Sequence, residues 1–203
     1  MANIAWICLE RALARFNESQ DREGLLRPRC ANPKTVSESA AAGERAITHR
    51  LAVYLELELR CKELVGKCSP IAVDCEYNRH ESEHKSHAAD AEDRIFDIVR
   101  EARKNYLLPD DYGYYVFSVQ PDIVVHQRGI DDDNLLVIEV KKRSNPETPE
   151  YDALKLELFT TPKNGDRGYG YHFGAWVIAE DIGDLGDRFL RIESRFAGGT
   201  KIA

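Results

Sequence analysis

Three ionisable residues sit where folding would ordinarily place apolar side chains. Asp122 opens the run Pro121-Asp122-Ile123-Val124-Val125-His126, and Glu139 and Lys141 interrupt Leu135-Leu136-Val137-Ile138-Glu139-Val140-Lys141-Lys142. Both runs read as buried strands, and burying a charge is costly unless a partner or a metal compensates it. Successive side chains of a strand face opposite ways. Glu139 and Lys141 therefore share one face, and Ile138 and Val140 the other. If the two runs pair as a hairpin, Asp122 lies near Glu139 with Lys141 beside them. Two carboxylates and an amine around one point suggest a divalent-metal site with a lysine turned toward phosphate. Oxygen-rich sites suit Mg2+ or Mn2+, and such ions polarise a phosphoryl oxygen and acidify bound water.

These residues need elements to hold them. Strands are expected over Ile71 to Tyr77, Tyr114 to His126, Leu135 to Arg143, Tyr171 to Glu180 and Phe189 to Ser194. The turn-like segment Gly129 to Asn134 joins the second and third of these. Helical periodicity marks Asn3 to Glu18, Asp90 to Tyr106 and Pro149 to Phe159. A further helix, capped by Ser37 or Ser39, runs to about Arg60 and carries Glu44, Ile47, Leu51, Leu55 and Leu59 along one stripe. Glu44 thus falls on the inward face, at a helix start where negative charge is favourable in any case. Ser19 to Lys34, with Gly24, Pro28 and Pro33, reads as a loop. Residues 1–35 are taken as an accessory helix and loop outside the shared core, and 36–203 as an α/β domain. Such an order of helices and strands requires a mixed sheet flanked by helices.

At 203 residues the chain can bury one good core. Its 43% hydrophobic and 31% charged content is that of an ordinary globular protein. No apolar run approaches the length of a membrane span, and Met1 to Leu9 lacks the basic lead of a secretion signal. The cysteines, Cys8, Cys30, Cys61, Cys68 and Cys75, form no Cys-x-x-Cys and read as reduced thiols of a cytoplasmic protein. A net charge of −7 argues against a general nucleic-acid binder. It leaves a nuclease open, because a metal-binding carboxylate cluster is itself negative and its cation inverts the local field. The densest basic run is Lys141-Lys142-Arg143.

Pro121-Asp122, a spacer and Glu139-Val140-Lys141, in that order and both at strands, resemble the signature of the PD-(D/E)XK nuclease superfamily. That superfamily includes restriction endonucleases, Holliday-junction resolvases and repair nucleases. More narrowly, Glu44 to Ala52, Val73 to Arg79 and Asp122 to Lys142 are similar to stretches of little-characterised bacterial members, over roughly residues 36 to 180. The resemblance implies a restriction-endonuclease-like core with a mixed sheet of four to five strands. Its order would be αβββαβ, with an extra helix after the first strand. It implies Asp122 and Glu139 as direct metal ligands, the Val140 carbonyl as a further oxygen, and Glu44 as the carboxylate from the first core helix.

Lys141 would orient or activate the attacking water and offset phosphate charge. Beside carboxylates it should stay protonated, whereas flanking cations would lower its pKa, so a base role and an electrostatic role both stand. Candidate phosphate contacts are Lys155 on the following helix, Arg79 at a strand end, and Lys142, which alternation turns toward solvent or backbone. Asp74 and Glu76 share a strand face and either approach the site or mark the wet side of the sheet. His80, His84 and His87 lie in a polar segment that reads as solvated surface, and Asp131-Asp132-Asp133 as a hairpin tip rather than a calcium loop. The expected function is a Mg2+- or Mn2+-dependent nuclease acting on DNA, with RNA left open. Cutting both strands would favour a homodimer or two sequential nicks. The rival is a catalytically silent protein of the same fold that binds nucleic acid or regulates.

Overall fold

The computed structural model describes residues 1–26, 43–66, 69–76, 86–89, 94–102, 115–129, 133–145, 149–163, 168–182 and 187–202. In chain order the elements are α1 (Ala2–Glu18), α2 (Gln20–Leu25), α3 (Glu44–Cys61), β1 (Ile71–Cys75), β2 (Ser86–Ala89), α4 (Arg94–Ala102) and β3 (Tyr115–Ser118). They continue with β4 (Ile123–Gln127), β5 (Leu136–Lys142), α5 (Pro149–Thr160), β6 (Phe173–Ala179), β7 (Leu190–Ala197) and β8 (Thr200–Lys201). Six strands form one mixed sheet in the order β1-β4-β5-β6-β7-β8, with β5 and β6 parallel and the other neighbours antiparallel. β2 and β3 make a separate two-stranded ribbon. The chain is an α/β protein whose sheet is flanked by helices.

β5 is buried along its whole length, as a strand covered on both faces should be. Leu136, Ile138 and Val140 pack with Leu9 and Phe16 of α1 and Ile47, Leu51 and Leu55 of α3. Val137 packs on the opposite side with Phe96 and Val99 of α4 and Leu156 and Phe159 of α5. Each fully buried Leu, Ile or Phe contributes about 1.5–3 kcal/mol. The strand that carries Glu139 and Lys141 is thus clamped from both sides. Pro149 begins α5, a position where its missing N–H costs nothing, and Glu150 and Asp152 in the first turn suit the positive end of the helix.

Several expectations change. Tyr114 to His126 is two strands, not one: β3 pairs with β2, and β4 enters the main sheet only after Pro121. Proline has no N–H for the ladder, and the Gln120 side chain donates to Glu76 O at 2.6 Å where the chain crosses between sheets. The sheet has six strands rather than four to five, because Gly198 and Gly199, at φ of 59° and 78°, turn the chain back into β8. Part of the expected loop after residue 18 is α2, capped by the Ser19 hydroxyl, which accepts from Asp21 N at 3.2 Å. The N-terminal helix packs on the sheet. Its Ala5, Cys8, Leu9, Ala12 and Phe16 belong to the same cluster as α3 and the sheet. The expected helix of Asp90 to Tyr106 is described over Arg94–Ala102, and the expected caps Ser37 and Ser39 lie outside the described residues. Among the described residues, no helix is long and apolar enough to cross a membrane.

Candidate active site

Antiparallel β4 and β5 meet with Ile123 opposite Ile138 and Val124 opposite Val137. Continuing that register by one residue sets Asp122 opposite Glu139, on the sheet face that α5 covers. Lys141 follows on the same face, since alternate residues of a strand point together. Asp122 Oδ2 accepts a hydrogen bond from Val140 N at 2.7 Å. Glu139 is 1% exposed; its Oε2 accepts from Lys155 Nζ at 2.5 Å, while its Oε1 is buried with no hydrogen-bond partner. α5 brings Asp152 and Lys155 together, because residues three apart share a helix face. Lys155 Nζ is 3.0 Å from Asp152 Oδ1, and Lys141 Nζ is 3.4 Å from Asp152 Oδ2.

Three carboxylates, those of Asp122, Glu139 and Asp152, thus face the two ammonium groups of Lys141 and Lys155. Burial pushes the Asp122 carboxyl up to about 6; Lys155 and the Val140 N–H oppose the rise, and Asp152 and Glu44 add to it. Burial also lifts Glu139 well above the usual carboxylate range, with Lys155 opposing and Asp122 and Asp152 adding. For Lys155 burial works downward, but Glu139, Asp152 and Asp122 outweigh it and raise the pKa on balance. Burial is the chief cause of both rises, and a further cation nearby would favour the charged forms. Glu139 Oε1, buried and unpartnered, is an open acceptor for one. These donors, all oxygen, fit Mg2+ or Mn2+ in type. Among the described residues, no group of three or more His, Cys, Asp or Glu is arranged to hold a metal ion. What the structure offers is the facing pair Asp122 and Glu139, with Asp152 engaged by both lysines.

No protein-family model, curated protein or solved structure matches this chain.

The other candidates are dispersed. Glu44, expected as a third ligand, has its Oε1 on Lys142 N and Asn145 Nδ2, both at 2.8 Å, and so ties the start of α3 to the end of β5. Val140 gives its N–H to Asp122 and its side chain to the α1–α3 core. Lys142 does not face solvent: it is buried, with Nζ 3.0 Å from Asp181 Oδ2. Asp181 also accepts from Ser144 N at 2.9 Å and from the Ser144 hydroxyl. Lys155 faces the site rather than standing as an exposed helix lysine, and it is held inside the carboxylate cluster. Arg79, His80, His84, Asp131 and Asp132 lie outside the described residues, and His87 falls in β2. Asp74 lies away from the cluster, 3.1 Å from His126 Nε2 and accepting from Arg128 Nε at 2.7 Å. Glu76 accepts from Arg45 Nε at 2.5 Å.

Asp152 is the residue that strand reasoning missed. Its signal lies in α5, where Leu154, Leu156, Leu158 and Phe159 are all buried. Apolar positions spread around the helix leave no wholly polar side for Asp152 and Lys155. A second sign of unfilled polarity lies beside the cluster. Glu139 registers with Trp176 and Trp176 with Ser194, and Trp176 Nε1 and Ser194 Oγ are also buried without partners. Buried polar groups of this kind normally meet ordered water.

Proposed function

We propose that this protein is a metal-dependent nuclease that hydrolyses phosphodiester bonds in DNA, on a restriction-endonuclease-like core. The observation that carries the reading is the unpartnered Oε1 of Glu139, buried opposite Asp122 in a cluster with more carboxylates than cations. The succession α3, β1, β4, β5, α5, β6, with β1, β4, β5 and β6 adjacent in that order, supports the core.

In this reading Asp122 and Glu139 hold Mg2+ or Mn2+, and the bound ion supplies Lewis acidity at the phosphoryl oxygen and an acidified water. The chain's own residues do the rest. Val140 N fixes the Asp122 carboxylate through Oδ2. In the metal-free site Lys155 holds Glu139 Oε2, and Oε1 stands as the open donor. Lys141, next to Asp152, sets its ammonium on the same face as both ligands. There it offsets the charge that develops on the phosphate and orients the attacking water.

One observation favours a second reading, a silent protein of this fold that binds nucleic acid without cutting it. No three-carboxylate metal group is assembled among the described residues. The experiment separates the two. Purified protein is incubated with plasmid, linear, single-stranded and branched DNA and with RNA, in Mg2+ or Mn2+ and in excess chelator. The nuclease reading expects cation-dependent cleavage that Asp122→Asn and Lys141→Ala remove. Binding with no cleavage of any substrate would favour the silent protein, and cleavage of RNA alone would reassign the substrate.

A further inference from the structure

Lys155 is an unusual neighbour for a pair of metal-binding carboxylates. Its Nζ lies 2.5 Å from Glu139 Oε2 and 3.0 Å from Asp152 Oδ1, and its side chain is 10% exposed. It is also the largest favourable influence on both Asp122 and Glu139. The ammonium thus occupies the cation position between Glu139 and Asp152. An ammonium and a divalent ion on one carboxylate repel each other. The same side chain has partners besides Glu139. Asp152, three residues earlier on α5, lies 3.0 Å away, and the Tyr151 ring, one helical turn back, lies 5.4 Å from Nζ. A half-buried aromatic face is a favourable place for an ammonium.

Resting on the metal-dependent reading above, we infer that Lys155 is a resident counter-ion. It fills the cation position of the metal-free site, and a divalent ion displaces it from Glu139, leaving it to Asp152 and Tyr151. The displacement has two consequences. Metal binding by the protein alone is weak, because the incoming ion must evict a charge already paired with its ligand. Once released, the ammonium stands at the edge of the site where a polyanion can take it, so cation and nucleic-acid backbone bind cooperatively. Lys141 does not share this role: its ammonium lies 3.4 Å from Asp152 Oδ2 and can stay there while Glu139 changes partner.

The test measures metal uptake rather than activity. Chelator-stripped protein is titrated with Mn2+ by calorimetry, as wild type, as Lys155→Met and as Lys155→Met combined with Glu139→Gln. The inference expects Lys155→Met to bind Mn2+ about tenfold more tightly than wild type, in the range by which neighbours of metal ligands alter affinity, and the double variant to lose the gain. Because Lys155→Met leaves Glu139 without its ammonium and can fail to fold, wild-type protein is also treated with an amine-reactive label and mapped by mass spectrometry. Lys155 should be protected without metal and labelled with Mn2+ present. Firm Mn2+ binding by wild type, with no gain in Lys155→Met or with Lys155 still protected, would overturn the inference and leave the metal reading standing. Absence of Mn2+ uptake by every form, at concentrations where the label still reports a folded protein, would overturn both.

Discussion

β4 turns ionisable groups toward the α5 face near both its ends, and the two ends are opposites. At one, His126 Nε2 lies 3.1 Å from Asp74, whose carboxylate also accepts from Arg128 Nε and Nη2. Burial pushes Asp74 upward, yet Arg128 and His126 together hold it well below the usual carboxylate range. At the other end Asp122 is pushed up to about 6, and Glu139 beside it keeps a buried oxygen with no donor. In one cluster the cationic partners outweigh burial, and in the other burial outweighs them. Buried carboxylates alone therefore do not mark a site. A carboxylate that remains unsatisfied after its neighbours are counted does, since such deficits cluster where chemistry is done.

The largest expected effect separates the two ends by activity. Lys141→Ala or Asp122→Asn should lower cation-dependent cleavage by about a hundredfold or more, as loss of a positioned catalytic group does, with the circular dichroism spectrum unchanged. Asp74→Ala should leave cleavage within a few-fold. Its effect appears as stability instead, a loss of about 1–3 kcal/mol in chemical denaturation at pH 7, because His126 and Arg128 lose a charged acceptor.

The pH dependence sharpens the contrast, because the two shifts have opposite sign. Asp74 has a depressed folded pKa, so its contribution is present above its unfolded value and disappears as pH falls through the folded one. Asp122 has a raised folded pKa, so the metal-free fold is favoured below the unfolded value and loses that advantage as pH rises through about 6. Asp122→Asn should therefore stabilise metal-free protein by on the order of 1–2 kcal/mol at pH 8 and change little at pH 4. Asp74→Asn should destabilise it at pH 8. Denaturation series at the two pH values check both, and parallel behaviour would erase the distinction between the clusters.

The smallest effect concerns Glu44. Glu44→Gln keeps an oxygen for Lys142 N and Asn145 Nδ2, so the expected cost is below about 1 kcal/mol, with cleavage within a few-fold. A loss as large as that of Asp122→Asn would return Glu44 to the metal site.

Much of the arrangement was legible in the sequence. Alternation along β5 placed Glu139 with Lys141, and the hairpin of β4 and β5 brought Asp122 opposite them. Stripes of Leu and Ile marked α3 and α5. What stayed hidden depended on pairing across distance. Lys142 looked like a solvent-facing lysine until β6 delivered Asp181 to it. Lys155 reads equally as a site-facing or an exposed helix lysine, because its partner Glu139 is sixteen residues away on another element. Glu44 had the right stripe, but whether its carboxylate meets a metal or the backbone of β5 depends on how far α3 reaches along the strand. Periodicity assigns a face and leaves the depth unstated. The same limit hid the role of α1, whose apolar stripe could cover this core or another surface equally well.

The proposal rests on Asp122 and Glu139 together taking a divalent cation. Carboxyl carbon NMR on 13C-labelled protein, titrated from pH 3 to pH 9 with and without Mg2+, reads this directly. The account predicts that Asp122 titrates near 6 in metal-free protein and moves down on adding Mg2+, while Asp74 stays low in both. Asp122 titrating as an ordinary carboxylate and indifferent to Mg2+ would contradict it.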